Sequence, residues 1–217
     1  SASEYGSSLL NHIMPDRKFP FPKSLYAVAD TLKFFVSNKK DALILDFFAG
    51  SGTTAHATIN LNRSASSRRR FILADFGTYF DLLLLPRIKK AAFAPEWSEG
   101  APRRTATPEE QQRSPRLIKV LRLESYEDTL NNLALSRSTE QQSALDFNAA
   151  QGADGLREQY LLRYQLDVES QDSASLLNIA AFSDPTAYKL LVKTPGSDES
   201  REVNVDLLET FNWLLGL

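Results

Sequence analysis

Cysteine is absent from the 217 residues, and histidine occurs only at His12 and His56. Without thiols there is no disulfide scaffold, thiolate metal site or cysteine nucleophile, and the composition fits a reducing, cytoplasmic setting. Two histidines give little material for a His-rich zinc centre or a Ser-His-Asp triad. Long apolar runs are lacking too. Residues 42–49 and 82–85 are the longest, far short of the roughly 20 residues that cross a bilayer. No basic start followed by an apolar core reads as a signal peptide. With 10 Pro, 9 Gly and 42% hydrophobic residues, collagen-like, low-complexity and fully disordered classes drop out, leaving one full-sized domain or two small ones. The net charge of −2 excludes a uniformly basic nucleic-acid glue. The charge is unevenly spread: 19 Lys and Arg against 11 Asp and Glu up to residue 123, then 6 against 16 from Glu124 onward. Two surfaces are expected from this, a basic one able to face phosphates and an acidic one facing solvent or a partner, with two differently solvated faces as the plain alternative.

Along the chain, residues 1–18 are polar and carry no clear period. The prolines of Phe19-Pro-Phe-Pro-Lys23 push their predecessors into extended backbone. Ser24 stands where an N-cap belongs, ahead of an apolar face of Leu25, Val28, Ala29, Leu32 and Phe35 at helical spacing. Residues 42–48 read as a strand buried on both sides. A glycine turn, a small-residue helix over 53–62, a flexible basic connection over 63–70 and a second buried strand over 71–75 complete a βαβ unit. A helix over 79–93 contains Pro86, a kink or break. Residues 95–116 read as a linker or surface loop, 117–123 as a strand, 126–135 as helical, 136–151 as polar and undecided, and 160–169 as helix or strand. Strand-like runs 188–193 and 201–205 around a Pro-Gly turn predict a hairpin. Asp206 caps a last helix over 207–215, where Trp213 is expected to be buried. The fold expected is α/β: a partial Rossmann-like sheet of parallel strands with helices over 1–94, the linker, then a smaller α+β region over 117–217.

A buried strand that stops at Gly-x-Gly and enters a helix brings backbone close to a ligand. Gly50 and Gly52 lack the Cβ that would block approach, and the helix behind them offers free N–H groups. Asp75 closes the next strand at the spacing where a carboxylate accepts both hydroxyls of a ribose, so an adenosine-containing ligand is indicated. A P-loop is excluded, because Thr53 stands where its lysine would be. A dinucleotide fold stays open, since Gly50-Ser-Gly-Thr-Thr-Ala55 satisfies Gly-x-Gly-x-x-Ala. So does a glycine turn that merely lets a helix pack on a sheet.

The string Ile44-Leu-Asp-Phe-Phe-Ala-Gly-Ser-Gly-Thr-Thr54 resembles the S-adenosylmethionine-binding motif of DNA amino-methyltransferases. More widely the match is to the permuted, adenine-specific group that includes the Mod subunits of type III restriction-modification systems. Phe21-Pro-Lys-Ser-Leu25 resembles the Lys-Pro-x-x-Leu element of that group, with Ser24 in place of the proline. Residues 69–75 resemble its second strand, with Asp75 where a glutamate is frequent, and Tyr79–Asp81 with Leu85–Lys90 resemble the helix behind. The resemblance covers about residues 19–93. It implies that Asp46 braces the turn and faces the amino-acid end of S-adenosylmethionine, and that Phe47 and Ala49 line its path. It also implies that Gly50 and Gly52 give backbone access, that Thr53 or Thr54 offers a hydroxyl, that Lys23 and Ser24 lie near the methionine carboxylate, and that Asp75 holds the ribose.

Such enzymes hold a flipped base with a tetrapeptide of the form Asp/Asn/Ser-Pro-Pro-Tyr/Phe/Trp, and no Pro-Pro pair occurs in this sequence. In the permuted order that motif and the target-recognition region precede the glycine turn, where only 45 residues lie upstream of Asp46. The expectation is therefore the cofactor-binding, C-terminal piece of a larger enzyme, inert alone and reaching DNA through the complete protein. It would meet the missing catalytic half, a restriction subunit or a second copy through exposed apolar edges. A non-catalytic module retaining the fold, and a NAD-dependent oxidoreductase domain, are the other readings. Arg68, Arg69 and Arg70 are the candidates for DNA phosphate contacts, set against ordinary solvated arginines. Trp97 is a further candidate for base stacking, and His56 reads as packing.

Overall fold

The computed structural model describes residues 2–147, 151–152, 155–176, 184–194 and 197–216. It divides into two units, Ser1–Val120 and Leu121–Leu217.

The first unit opens with α1 (Ala2–Ile13), where the sequence shows no period. The signal is confined to the last turn: Leu10, Ile13 and Met14 are buried with Leu83, and Phe19 and Trp97 pack on them. Gly6 makes the approach of α1 to the next segment possible, since a Cβ there would overlap the Pro22 carbonyl oxygen. α2 (Leu25–Val36) starts at Ser24, whose hydroxyl accepts the Ala27 N–H at 3.5 Å, as an N-cap should. Its inward stripe is Leu25, Val28, Ala29, Leu32 and Val36. Phe35, expected on that stripe, lies outside and exposed, edge-on to Phe34.

β1 (Leu43–Asp46) and β2 (Arg70–Leu73) pair in parallel, Ile44 opposite Phe71 and Leu45 opposite Ile72, with α3 (Thr53–Ala65) as the crossover. This is the βαβ unit that the sequence predicts. The strands are not buried on both sides, however. Ile44, Phe71 and Leu73 face inward, while Leu43, Leu45 and Ile72 face out, Leu45 at 63% exposure. The reason lies in the layers. Ala55 and Ile59 of α3 pack with Leu84, Ile88 and Ala91 against one face of the pair, and among the described residues β1 and β2 form a sheet of only two strands.

The basic connection 63–70 is held rather than flexible. Asn62 Oδ1 accepts the Ser67 hydroxyl and the Arg69 N–H, both at 3.0 Å, and Asn62 Nδ2 donates to Arg69 O at 2.9 Å. Pro86 acts as expected, though before itself: residues Phe80–Leu84 form a π-turn, and α4 (Leu85–Phe93) begins with the proline in its first turn. There its fixed φ suits the first turn of the helix. The expected linker 95–116 is folded onto this unit. β3 (Glu96–Ser98) and β4 (Ala101–Arg104) form an antiparallel pair, and α5 (Pro108–Arg113) has a complete capping box of Thr107 and Glu110. Lys90 Nζ donates to the carbonyls of Ile13 and Gly100, Arg63 Nε to Ser114 Oγ, and Arg113 to Arg63 O. These tertiary bonds come from residues far off in sequence, so composition alone read the segment as loose. Trp97, a candidate for base stacking, donates its indole N–H to Lys90 O and Ala94 O, and the Lys90 ammonium lies 4.8 Å from its ring centroid.

No strand forms over 117–123, where the first unit passes into the second at Val120. The helices of the second unit are α6 (Tyr126–Asn131), α7 (Thr139–Asp146), α8 (Leu156–Arg163) and α9 (Gln165–Glu169). The hairpin is present as β5 (Lys189–Lys193) antiparallel to β6 (Ser200–Asn204); the Pro195-Gly196 pair of its turn lies outside the described residues. Asn132 bonds both the N–H and the carbonyl of Leu191, and Asp128 accepts the Lys193 N–H, so side chains from α6 satisfy one edge of β5. Asp206 caps α10 (Leu207–Leu215) as predicted, accepting the Glu209 N–H at 2.9 Å. Trp213 is 54% exposed rather than buried, because α10 leaves its apolar side open. No described helix is long and apolar enough to cross a membrane.

Candidate functional site

At the C-terminal end of the parallel pair the chain leaves Asp46, turns through residues 47–52 and enters α3 at Thr53. Gly50 and Gly52 both take positive φ, 52° and 75°, the left-handed region that a side chain disfavours. The Phe19 ring closes one wall of the turn: a Cβ on Gly50 would stand 3.2 Å from it, and Phe19 packs edge-on to Tyr79 with centroids 5.0 Å apart. Two carboxylates hold the elbow. Asp46 accepts the Thr54 hydroxyl at 2.6 Å with one oxygen and the Phe48 N–H at 3.3 Å with the other. Asp75, just past the end of β2, accepts the Gly50 N–H at 2.5 Å and the Phe76 N–H at 2.8 Å. The flanking backbone completes the ladder: Ala74 N–H bonds Asp46 O, and Ala49 N–H bonds Ala74 O. Gly52 is the N-cap of α3 and brings no side chain, so the first amides of the helix are left to a ligand or water.

Beneath the elbow the interior is polar. Arg87, on α4 and 1% exposed, donates to the Ser51 carbonyl and to the hydroxyls of Ser51 and Thr53. Burial pushes its guanidinium down to about 10, still charged at neutral pH. His56 is enclosed on α3, and burial, helped by the Arg87 and Arg63 charges, pushes its imidazole down to about 3. A neutral, buried His56 fits the packing role read from the sequence. It also sets a pH dependence. Between the unfolded value of 6.5 and about 3 the unfolded chain binds a proton that the folded chain refuses. Stability therefore falls as pH drops through that window. Acidifying from about pH 6.5 to about pH 4.5 should cost roughly 2–3 kcal/mol through this group, at about 1.36 kcal/mol per unit. Urea titrations of wild type and His56→Gln at both pH values give it as a difference; equal pH slopes in the two proteins would refute the assignment.

The structure brings Asp46, Phe47, Gly50, Gly52, Thr54 and Asp75 together at one elbow. Phe47 is exposed there, with Phe48 and Phe76. Three expected roles change. Ala49 is buried in the core with Ala55 and Ile59, and does not line an open path. The Thr53 hydroxyl points inward to Ser51 and Arg87, and that of Thr54 gives its proton to Asp46, so neither donates to a ligand in this arrangement. Ser24 is buried and engaged in capping α2, while Lys23 is exposed. Of the candidate arginines, Arg69 is 5% exposed and spends its guanidinium on the carbonyls of Val36 and Ser37 and on Ser67 Oγ, out of reach of a phosphate. Arg68 and Arg70 are exposed. They lie where β2 begins, the end of the parallel pair opposite the elbow. Sequence reasoning missed Phe19, Phe48, Phe76 and Arg87. Phe48 and Phe76 stand close in sequence to the two motif acids, which is the signal that marks them; Arg87 carries no local signal.

Comparison with known proteins adds an independent observation. Residues 6–80 match the DNA methylase family. The matched segment runs from α1 to the turn after Asp75 and contains the whole elbow. Over 73 residues the chain is 42% identical to the EcoPI Mod subunit of a type III restriction-modification enzyme from Escherichia phage P1, covering 32% of this chain and 11% of that protein. The StyLTI Mod subunit of Salmonella typhimurium is 37% identical over 73 residues, 34% of this chain and 11% of its own length. The type II methyltransferase M.KpnI of Klebsiella pneumoniae is 40% identical over 73 residues, 34% of this chain and 17% of its own length. The resemblance to Mod-like adenine methyltransferases read from the motifs is thereby borne out over the methylase segment. The aligned part is a small fraction of each relative. No solved structure matches the chain.

Proposed function

We propose that this chain supplies the S-adenosylmethionine-binding part of a site-specific DNA adenine methyltransferase, which moves a methyl group to an exocyclic base nitrogen. The observation that carries the reading is the hydrogen bond from Gly50 N–H to the Asp75 carboxylate. It brings an acid from the end of the second strand onto a side-chain-free elbow at the end of the first. A nucleoside with an amino-acid tail matches such a cradle. The positive φ values of Gly50 and Gly52 keep the approach clear, the Asp75 carboxylate retains lone pairs for ribose hydroxyls, and the amino-acid end is assigned to Asp46, with Lys23 for the methionine carboxylate. The exposed rings of Phe48 and Phe76, 6.4 Å apart, offer a face to the adenine. Bound there, S-adenosylmethionine supplies the electrophilic methyl group.

The residues that would seat the target base are a separate matter. The sequence holds no Pro-Pro pair, so the base-holding tetrapeptide and target recognition are assigned to another part of the enzyme, and this chain alone is inactive. DNA contact is likewise assigned to the complete enzyme, with a restriction subunit or a second copy as further partners. The open face of Leu43, Leu45, Phe47 and Ile72 suits a contact with the catalytic half, since apolar patches of this kind mark interaction surfaces.

Calorimetry with S-adenosylmethionine tests the reading. Wild type should bind, and Asp46→Ala, which frees the Thr54 hydroxyl and the Phe48 amide, should bind at least about tenfold more weakly, about 1.4 kcal/mol. Absence of heat in the wild type favours a non-catalytic module, and binding of NAD instead would turn the reading to a dinucleotide enzyme. Methyl transfer to DNA by the isolated chain would refute its inactivity.

A further inference from the structure

The interior side of the elbow holds a cation with an unusual set of partners. Arg87 is almost wholly enclosed, and its three acceptors are Ser51 O at 3.1 Å, Ser51 Oγ at 2.9 Å and Thr53 Oγ1 at 3.0 Å. All three belong to the residues on either side of Gly52. Its Nε–H has no partner, and among the described residues no carboxylate pairs with it. A buried guanidinium without a counterion is costly, and an apolar side chain of similar volume would fill the same space at less expense. What the arginine adds over such a side chain is direction: the two N–H groups of one terminal nitrogen, shared among three acceptors, fix the carbonyl of Ser51 and the hydroxyls of Ser51 and Thr53. Its delivery is equally specific. The π-turn at Phe80–Leu84 inserts an extra residue per turn just before Pro86 starts α4, and turns of this type concentrate at functional sites.

We propose that Arg87 is a positioning residue for the elbow's ligand, pinning Ser51 and Thr53 from within so that Gly50 and Gly52 keep the left-handed backbone that admits S-adenosylmethionine. The inference rests on the reading of the elbow as the cofactor site, but its first readout does not. The amides of Gly52 and His56 bond to Ala49 O and Gly52 O inside the elbow, so their hydrogen exchange reports its local opening.

The experiment compares wild type, Arg87→Met and Arg87→Lys in the full chain, by amide exchange, thermal midpoint and S-adenosylmethionine calorimetry. Methionine fills the volume without the bonds; lysine restores a donor that reaches fewer acceptors. Arg87→Met should remain folded, with exchange at Gly52 and His56 at least about tenfold faster while α1 is unchanged. Its cofactor affinity should fall at least about tenfold. Arg87→Lys should recover part of both. A folded Arg87→Met with wild-type exchange and wild-type affinity overturns the proposal. So does a general rise in exchange that tracks a lower midpoint and is not relieved by lysine, since that describes a filler of the core. If Arg87→Met does not fold, Arg87→Lys decides, and wild-type values for both readouts overturn the proposal. If wild type takes up no S-adenosylmethionine, the cofactor reading fails by itself, and local exchange at Gly52 still decides the role of Arg87.

Discussion

Asp75→Ala should reduce S-adenosylmethionine binding at least about 100-fold, roughly 2.7 kcal/mol, with little change in the thermal midpoint. Two losses coincide at this residue. The carboxylate is the acceptor for the Gly50 N–H at 2.5 Å, so its removal frees the backbone of the elbow itself. It is also the group proposed to accept the ribose hydroxyls, and a site built to hydrogen-bond such hydroxyls loses heavily when the acceptor is gone. Asp75→Asn separates the two. The amide oxygen keeps an acceptor for Gly50, whereas the amide nitrogen cannot accept from ribose, so an intermediate loss of about tenfold is expected. Calorimetry on the three proteins, with circular dichroism to confirm folding, gives the order wild type, Asn, Ala. Equal affinity in all three would remove Asp75 from the site.

The largest stability effect is expected at a residue first considered for DNA. Arg69 fills four hydrogen bonds: Nε and Nη2 to Val36 O at 3.2 and 2.8 Å, Nη2 to Ser37 O at 3.1 Å, and Nη1 to Ser67 Oγ at 2.5 Å. Val36 and Ser37 end α2, so the guanidinium also neutralises the negative end of that helix. Arg69→Ala removes all four bonds and empties the space of a buried guanidinium; Val36 O keeps the Lys39 N–H and the Ser67 hydroxyl keeps Asn62 Oδ1, so a cost of about 2–3 kcal/mol is expected. The exposed neighbours should behave otherwise: Arg68→Ala and Arg70→Ala are expected within about 0.5 kcal/mol of wild type. Urea unfolding of the three variants measures this directly. A loss at Arg69 no greater than at Arg68 would mean that its cap on α2 contributes nothing.

These two residues mark what was legible in the sequence. The elbow was, because its chemistry is local: a strand, two glycines and a helix start lie within a dozen residues, and the acid follows one crossover later. The Ser24 and Asp206 caps and the hairpin of β5 and β6 were legible for the same reason, each being set by neighbours in the chain. The tertiary use of arginine was not. Arg63, Arg69 and Arg87 stand in basic or mixed strings, and nothing nearby tells that their partners are Ser114, Val36 and Ser51, up to 51 residues away. The same blindness turned 95–116 into a linker and hid α1, whose apolar residues Leu10, Ile13 and Met14 crowd into its last turn. The exposure of Leu43 and Leu45 could not be read either. A run of apolar residues reports that a strand is suited to burial on both faces, and says nothing of what stands on the second one.

That second face has a bearing on how the sheet is bounded. A ribbon of two parallel strands has no interior member, so β1 and β2 each carry an outward row of amide and carbonyl groups along the side away from the other. Among the described residues no further strand pairs with either, so a strand added on each flank would put the fork of Asp46 and Asp75 at the middle of the enlarged sheet's rim instead of at its margin.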